Sequence, residues 1–262
     1  MGHQIRVPGA VLAAVLLLAA AGCSGVGTGS GTGAGKAPGD DPKPGGATPS
    51  ASAPAGSAPT GSAPTGSAPA DAKPPSGDVL PGMVGASVAR TQLAALKIAP
   101  PGTMSGYSRD KFTHWAEQGD KCDTREVILQ RDGANVTRDS QCKAVSGTWK
   151  SLYDEVVVTE ASKIDIDHMV PLAEGWRSGA AGWDAAKRKA FANDLTHPQL
   201  LAVTASSNRS KGDQSPDLWQ PPSKTAWCQY GRAWTTVKSV YGLTVTEPEK
   251  KTLSTMLDTC AS

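Results

Sequence analysis

The sequence has no apolar run long enough to cross a bilayer as a helix. Its longest such run covers only residues 10–22, whereas a membrane-spanning helix needs about 20 apolar residues. The run follows Arg6 and ends in small residues, which is typical of an export signal that is removed from the mature protein. We therefore predict a signal peptide over residues 1–23 and a mature protein outside the cytoplasm.

A cysteine closes the predicted signal peptide. The residues Ala20-Ala21-Gly22-Cys23 resemble a bacterial lipobox, in which the cysteine becomes the lipidated first residue of the mature protein. The lipobox pattern prefers leucine where this chain has Ala20. Two interpretations stay open. Lipidation of Cys23 would anchor the protein to the membrane of the cell envelope, whereas ordinary cleavage would release a secreted protein.

Residues 24–82 contain little besides glycine, serine, alanine, proline and threonine, and a short Gly-Ser-Ala-Pro unit recurs over residues 56–70. Without apolar periodicity, such a segment cannot bury enough surface to offset the conformational entropy lost on folding. We predict a disordered linker over residues 24–82 and one folded domain over residues 83–262.

The chain also lacks a strong charge bias and a zinc-binding cysteine pattern. Its 26 Lys and Arg residues nearly balance 24 Asp and Glu residues, so the net charge neither favours nor excludes a nucleic-acid partner. No two cysteines have C-x-x-C spacing, which argues against structural zinc. In an exported protein the four cysteines of the domain instead predict two disulfides. Of the three pairings, we favour Cys122–Cys142 and Cys228–Cys260, because each pair brackets one local unit.

Apolar periodicity and turn residues predict short strands among helices, which is an α+β fold. Helices are expected at residues 109–119, 122–129, 183–192, 204–208, 224–241 and 246–259. Strands are expected at residues 155–159, 163–166 and 199–203. The last helix opens with a capping box, since Thr246 is followed three places later by Glu249.

The densest set of polar residues is the quartet Asp165-Ile166-Asp167-His168, at the end of a predicted strand. Strand alternation puts Asp165 and Asp167 on one face and His168 on the other. These groups need partners if they are buried, because unpaired buried polar groups are costly. The next strand is followed by a helix that carries Asn208. The sequence therefore predicts that Asn208 returns to Asp167 and completes a polar site.

These segments resemble the HNH nucleases, whose ββα-metal centre consists of two strands and a helix. The matching motifs are Asp167-His168 followed by Met-Val-Pro-Leu, a strand Leu-Leu-Ala-Val, and Asn208 followed by Arg-Ser-Lys-Gly-Asp; Gly106-Tyr107-Ser108-Arg109 also matches. More closely, the chain is similar to an exported bacterial branch, related to the nuclease domain of modification-dependent restriction enzymes. The resemblance implies a helical domain around a small ββα-metal core, stapled by disulfides.

The resemblance also implies roles for three residues. His168 would be the general base that takes a proton from water. Asp167 and Asn208 would bind one divalent cation, which polarises the scissile phosphate. Because both supply oxygen, Mg²⁺ or Mn²⁺ is expected; Zn²⁺ is a further candidate because some members of the family carry it.

One family position has no clear match. The middle asparagine of the HNH motif braces the loop that carries the base, and this chain has Thr196-His197-Pro198-Gln199 there. Gln199 or His197 fits that place, depending on the alignment, and either side chain can bond a backbone carbonyl. Asn193 is the remaining amide but stands further back.

Three cations are candidates for contacts with substrate phosphates: Arg125, Arg209 and Lys211. The alternative for Arg209 and Lys211 is a solvated helix face, and the alternative for Arg125 is a structural ion pair. Both interpretations stay open for each residue.

The sequence thus predicts an exported, metal-dependent endonuclease that hydrolyses phosphodiester bonds of DNA, with RNA left open as a substrate. No base-reading module is apparent, so low sequence specificity is expected. One alternative is a non-catalytic envelope module that binds nucleic acid or serves adhesion on the same fold; another is a phosphatase or other hydrolase on this scaffold. The expected partners are nucleic acid and, through Cys23, a membrane; no protein partner is implied.

Overall fold

A computed structural model describes residues 80–261. The predicted signal peptide, Cys23 and most of the predicted linker therefore lie outside the described residues. The end of the linker prediction is wrong, because Leu80 is already buried in the core. Gly82 follows at a φ of +61°, and a β-carbon there would lie only 2.4 Å from the Thr196 carbonyl oxygen, which is too close. The folded part thus includes residues 80–82.

Seven α-helices occur in the described part of the chain. They are α1 (Ala86–Ala95), α2 (Thr124–Asp132), α3 (Leu172–Arg177), α4 (Ala185–Ala192), α5 (Ala205–Lys211), α6 (Trp227–Tyr241) and α7 (Glu247–Asp258). Among residues 80–261, none of the helices combines the length and the apolar character needed to cross a membrane.

Within residues 80–261, seven short strands form three antiparallel sheets. The strands are β1 (Glu117–Gly119), β2 (Cys122–Asp123), β3 (Ala134–Arg138), β4 (Ala144–Lys150), β5 (Val157–Val158), β6 (Ile164–His168) and β7 (Leu200–Thr204). The sheets are β1-β2, β3-β4-β5 and β6-β7. The predicted α+β class is confirmed at this level.

Side-chain caps determine where several helices begin. Asp123, Asp184 and Thr204 each accept a hydrogen bond from a backbone N–H in the first turn of α2, α4 and α5. Such a cap satisfies one of the donors that the first turn leaves without a partner. As a result α2 starts at Thr124 and not at residue 122. The capping box of α7 is confirmed, with Thr246 and Glu249 bonding each other's backbone N–H.

The predicted helix over residues 109–119 is wrong. Only a 3-10 turn, Arg109–Lys111, occurs there, and β1 follows. Trp115 has a φ of +56°, which an α-helix does not allow. Asn193 holds this conformation, since it accepts from the Ala116 N–H (2.8 Å) and donates to the Thr113 carbonyl (2.6 Å). Tertiary contacts therefore override the helical spacing of the apolar residues in this segment.

The β6-β7 sheet separates two apolar clusters. Ile164, Ile166, Leu200 and Ala202 pack with residues of α2 and β4 in the smaller cluster. Leu201 and Val203, on the opposite face of β7, belong to the main core with the C-terminal helices. All five residues of β7 are buried. This sheet is consequently the central element of the domain.

The described part of the chain contains two disulfides, and the favoured pairing is confirmed. Cys122 bonds Cys142, which joins β2 to the turn before β4, and Cys228 bonds Cys260, which joins α6 to the end of α7. The separations along the chain are 20 and 32 residues, respectively. A disulfide stabilises a protein mainly by restricting the unfolded chain.

Removing the second bridge is expected to destabilise the domain. We expect Cys228→Ala/Cys260→Ala to lower the free energy of unfolding by about 2–5 kcal/mol, as measured by urea unfolding under non-oxidising and non-reducing conditions. The Cys122→Ala/Cys142→Ala variant is the matched comparison, and its shorter loop predicts a slightly smaller loss. A change below about 0.5 kcal/mol in the first variant would contradict a stabilising role.

Candidate functional site

A cavity of about 300 Å³ opens at the end of β6. Its walls come from the end of β6, the start of α3, the helix α5 with the residues that follow it, and the segment that leads into the 3-10 turn together with its first residue. The polar wall residues are Tyr107, Arg109, Asp167, His168, Asn208 and Asp213. The antiparallel register pairs Asp167 with Leu201 and His168 with Leu200, and α5 follows β7 directly. The strand–strand–helix unit thus brings Asp167, His168 and Asn208 to one cavity.

Asp167 is buried, and its carboxylate has two side-chain partners. The Tyr153 hydroxyl donates at 2.5 Å and the Lys211 ammonium at 2.8 Å, both to Oδ2. The other carboxylate oxygen, Oδ1, takes part in neither contact. Burial raises the pKa of Asp167 above its ordinary value, and the Lys211 charge opposes that shift. Lys211 therefore helps to hold an ionised carboxylate at the edge of the cavity.

His168 is also buried, and its ring is fixed on two sides. Nε2 lies 3.0 Å from the Ala192 carbonyl oxygen, and the Trp115 indole stacks on the imidazole with centroids 5.6 Å apart. A carbonyl can only accept, so Nε2 carries the proton and Nδ1 keeps its lone pair. Burial lowers the pKa of His168 to about 3. The ring is consequently neutral at neutral pH, with the free lone pair on Nδ1.

Asn208 lies in the second turn of α5, half-buried. Its amide nitrogen donates to Asp165 Oδ2 at 3.1 Å. That bond orients the amide and leaves the oxygen, Oδ1, outside the contact. Asp165 and Asp167 share one face of β6, as the alternation predicts. The carboxylate of Asp165 therefore supports Asn208, which lines the same cavity as Asp167.

Gln199 makes the contacts expected of the brace. Its Nε2 donates to the Val170 carbonyl (2.9 Å), its Oε1 accepts from the Val170 N–H (3.1 Å), and its backbone carbonyl accepts from the Met169 N–H (2.7 Å). These bonds hold the two residues that follow His168. His197 instead bonds the Asp194 carboxylate through Nδ1 at 2.7 Å. The contacts thus favour Gln199 over His197 for this position.

The predicted phosphate contact of Lys211 is corrected by the structure. Its side chain is fully buried, and the ammonium bonds both Asp167 and the His168 carbonyl, the latter at 2.9 Å. Burial lowers the pKa of Lys211, and the Asp167 charge opposes that change. Because the ammonium already has these partners inside the protein, it is not available to a substrate.

The other two candidate cations differ from each other. The contacts of Arg125 favour a structural ion pair over a phosphate contact. Its guanidinium pairs with Glu126 at 2.7 Å and donates to the carbonyls of Ala161 and Ile164. Arg209 is exposed on α5, next to Asn208. A phosphate contact therefore stays a prediction for Arg209.

A buried charge network extends from the site to the C-terminal helices. The Lys211 ammonium lies 5.8 Å from the Trp234 ring centroid, and the Lys238 ammonium approaches the same ring at 5.8 Å. Lys238 is fully buried and bonds Glu174 at 2.9 Å and Glu249 at 2.8 Å. The network gives each buried ammonium group a carboxylate partner and a carbonyl partner inside the protein.

Arg109 and Tyr107 line the cavity without having been assigned a role from the sequence. Both belong to the Gly106-Tyr107-Ser108-Arg109 segment, which matches the HNH nucleases in sequence. That match was the signal that could have indicated their place in the site. The Arg109 Nε donates to His114 at 3.3 Å. Trp115 was likewise missed, because its contact with His168 depends on a backbone conformation that the spacing does not indicate.

Comparison with known proteins identifies the family. Residues 123–256 match the family described as the C-terminal domain of the GmrSD restriction endonucleases. The chain belongs to this family, and its predicted relationship to a nuclease family is confirmed. An uncharacterized secreted protein of Arthroderma benhamiae is 52% identical over 180 residues, which cover 69% of this chain and 88% of that protein. No solved structure matches the chain.

Proposed function

We propose that the protein is an exported, metal-dependent HNH endonuclease that hydrolyses phosphodiester bonds of nucleic acid with low sequence specificity. The observation that carries the proposal is the cavity shared by Asp167, His168 and Asn208. The three residues come from a strand–strand–helix unit in a chain that belongs to a nuclease family. The assignment to an exported bacterial branch stays a prediction.

In this proposal His168 is the general base. The Ala192 carbonyl fixes the proton on Nε2, so that Nδ1 takes the proton from an attacking water. Gln199 holds the loop that follows, and Trp115 limits rotation of the ring. A base whose tautomer and orientation are fixed before substrate binds needs no rearrangement in the transition state.

The donor set suits a hard divalent cation, Mg²⁺ or Mn²⁺, with Zn²⁺ as a further candidate. Asp167 Oδ1 and Asn208 Oδ1 are the oxygens that would hold it. The other polar atom of each side chain is already hydrogen-bonded, Asp167 Oδ2 to Tyr153 and Lys211 and Asn208 Nδ2 to Asp165. When bound, the cation supplies charge that polarises the scissile phosphate and stabilises the leaving oxygen. No group of three or more His, Cys, Asp or Glu side chains suited to a metal occurs among residues 80–261, so water and phosphate would complete the coordination.

Export is supported by two observations. The relative from Arthroderma benhamiae is a secreted protein, and two disulfides are typical of proteins that fold outside the cytosol. Lipidation at Cys23 stays a prediction that the secreted relative does not address.

The test is cleavage by the purified protein. We expect it to nick and linearise plasmid DNA in Mg²⁺ or Mn²⁺ and to lose this activity in chelator; linear DNA and RNA in parallel reactions define the substrate. Cleavage that persists in chelator would remove the metal from the proposal. Binding of DNA without cleavage in Mg²⁺, Mn²⁺ or Zn²⁺ would favour the non-catalytic module instead.

Asn208 tests the metal site directly. Asn208→Ala is expected to weaken metal affinity and cleavage together, by at least the roughly 10–100-fold that is lost when a group around a metal site is removed. Excess Mg²⁺ should restore part of the rate. Isothermal titration with Mn²⁺ measures the affinity independently of activity.

The conservative variant needs a control, because Asn208→Asp would place a second carboxylate against Asp165. We therefore expect Asn208→Asp/Asp165→Asn, which relieves this repulsion, to retain metal binding better than Asn208→Asp alone. Unchanged Mn²⁺ affinity in Asn208→Ala would exclude Asn208 as a ligand.

A further inference from the structure

Four cations gather on one side of the cavity and have no carboxylate partner. Arg109, Lys111, Lys187 and Arg188 form what we call the basic strip, which runs from the cavity wall to α4. Within residues 80–261, none of the four lies within ion-pair distance of an Asp or Glu side chain. The described part of the domain therefore provides none of the four with an ion pair.

Three other cations around the site are paired with carboxylates inside the domain. Lys211 pairs with Asp167, Lys238 with Glu174 and Glu249, and Arg177 with Glu174 and Asp213. The contrast separates cations with a structural role from the basic strip. The two acidic residues nearest in sequence form no ion pair with the strip. Asp184 caps α4, and Asp110 interacts with Ser108.

Aromatic rings hold the basic strip in place. The Lys111 ammonium and the Arg188 guanidinium both lie over the Trp176 ring, at 5.2 Å and 5.9 Å from its centroid, and the Lys187 ammonium lies 4.4 Å from the centroid of Trp183. Arg188 also donates to the Lys111 carbonyl at 3.3 Å. Long cationic side chains that rest on indole rings lose less freedom when they bind a ligand.

The basic strip is continuous with the cavity. Arg109 is part of the cavity wall, and the 3-10 turn that contains Arg109 and Lys111 packs on α4. Tyr107, another wall residue, contacts the edge of Trp176 with ring centroids 5.8 Å apart. A polyanion with one phosphate in the cavity would meet the strip next.

We propose that the basic strip binds the phosphate backbone of a nucleic acid beside the scissile bond. The inference rests on the proposed function, because it takes the cavity as the place of cleavage. Ammonium and guanidinium groups are the side-chain groups that most often contact phosphates in nucleic-acid complexes, and those of the strip have no carboxylate partner in the described part of the chain. They release counterions when they do so, without reading the bases. The strip thus defines the substrate as a polymer longer than the cavity and accounts for low sequence specificity.

The experiment measures binding of a fluorescent DNA duplex in chelator, where cleavage does not interfere, from about 50 to 200 mM salt. Lys111→Met/Lys187→Met removes two charges and keeps apolar side chains over the indoles. Each lost phosphate contact lowers the slope of log affinity against log salt by about 0.9. We therefore expect the slope to fall by about 1.8 and the affinity at low salt to fall with it.

Two further variants complete the test. Lys251→Met removes an exposed charge from α7, outside the strip, and is expected to keep the wild-type slope. Arg188→Lys keeps the positive charge and is also expected to show the wild-type slope. A wild-type slope in Lys111→Met/Lys187→Met, or an equal fall in Lys251→Met, would overturn the proposal.

Failure of the strip is distinguishable from failure of the proposed function. Wild-type protein that binds DNA through the strip but cleaves nothing in any metal would leave the strip intact and reject the nuclease. Wild-type protein that cleaves DNA, together with a double variant of unchanged salt slope, would reject only the strip.

Discussion

Replacement of His168 by alanine is expected to lower the rate of phosphodiester cleavage by roughly 10²–10⁴-fold, the usual contribution of a general base. The imidazole is neutral and carries its lone pair on Nδ1, because Nε2 donates to the Ala192 carbonyl. Without the ring, no side chain in the same position can take a proton from water. Single-turnover cleavage of a labelled duplex at saturating Mg²⁺ measures the change.

Two controls accompany the His168 variant. DNA binding in chelator should be nearly unchanged, and circular dichroism should show an intact fold even though Trp115 loses its stacking partner. His197→Ala tests the other alignment of the HNH motif. Because His197 bonds Asp194 and Gln199 holds the loop, we expect a much smaller effect. Near-normal cleavage by a folded His168→Ala protein would remove His168 from the mechanism.

The second large effect is expected from Lys211→Met, which should lower the free energy of unfolding by about 3–5 kcal/mol. Methionine has a similar volume but leaves the Asp167 carboxylate buried without its cation. The loss of one partner of a buried pair exposes the full cost of desolvating the other. Urea unfolding at neutral pH measures it.

A neighbouring residue and a double variant make this result specific. Arg209→Met changes an exposed cation two positions away on α5, and we expect a change within about 0.5 kcal/mol. Lys211→Met/Asp167→Asn should regain a large part of the lost stability, since a neutral amide needs no buried cation. If the double variant is no more stable than Lys211→Met, the loss arises from packing and not from charge.

Much of the fold could be predicted because local chemistry determined it. The spacing of Thr246 and Glu249 predicts a capping box, and helix α7 begins directly after Thr246. The alternation of Asp165, Ile166 and Asp167 indicates a strand with one polar face, and β6 has that pattern. Cysteines that bracket local units are joined as expected. In each case the residues that decide the structure lie close together in the chain.

The remaining features depend on partners that are distant in sequence. The segment with Trp115 has helical spacing but is held otherwise by Asn193, 77 residues from Ala116. Lysine is normally exposed to solvent, so the sequence does not indicate that Lys211 is buried. Its burial depends on the ion pair with Asp167, which is distant in sequence. The choice between Gln199 and His197 required the register of β7, in which His168 pairs with Leu200. Sequence spacing predicted the cavity's main residues but not which neighbouring groups support them.

The Trp234 ring has a consequence for attempts to shorten the protein. Lys211, the counter-ion of Asp167, rests against an indole supplied by α6, and Lys238 on the same indole is bonded to residues of α3 and α7. A chain cut before α6 would keep both strands and the helix that carries Asn208, yet Lys211 would lose the aromatic surface that shields it. The strand–strand–helix unit therefore depends on α6 and is not expected to keep its structure when it is moved alone into another protein. Transplanted into another scaffold, it would need a new aromatic wall behind the lysine.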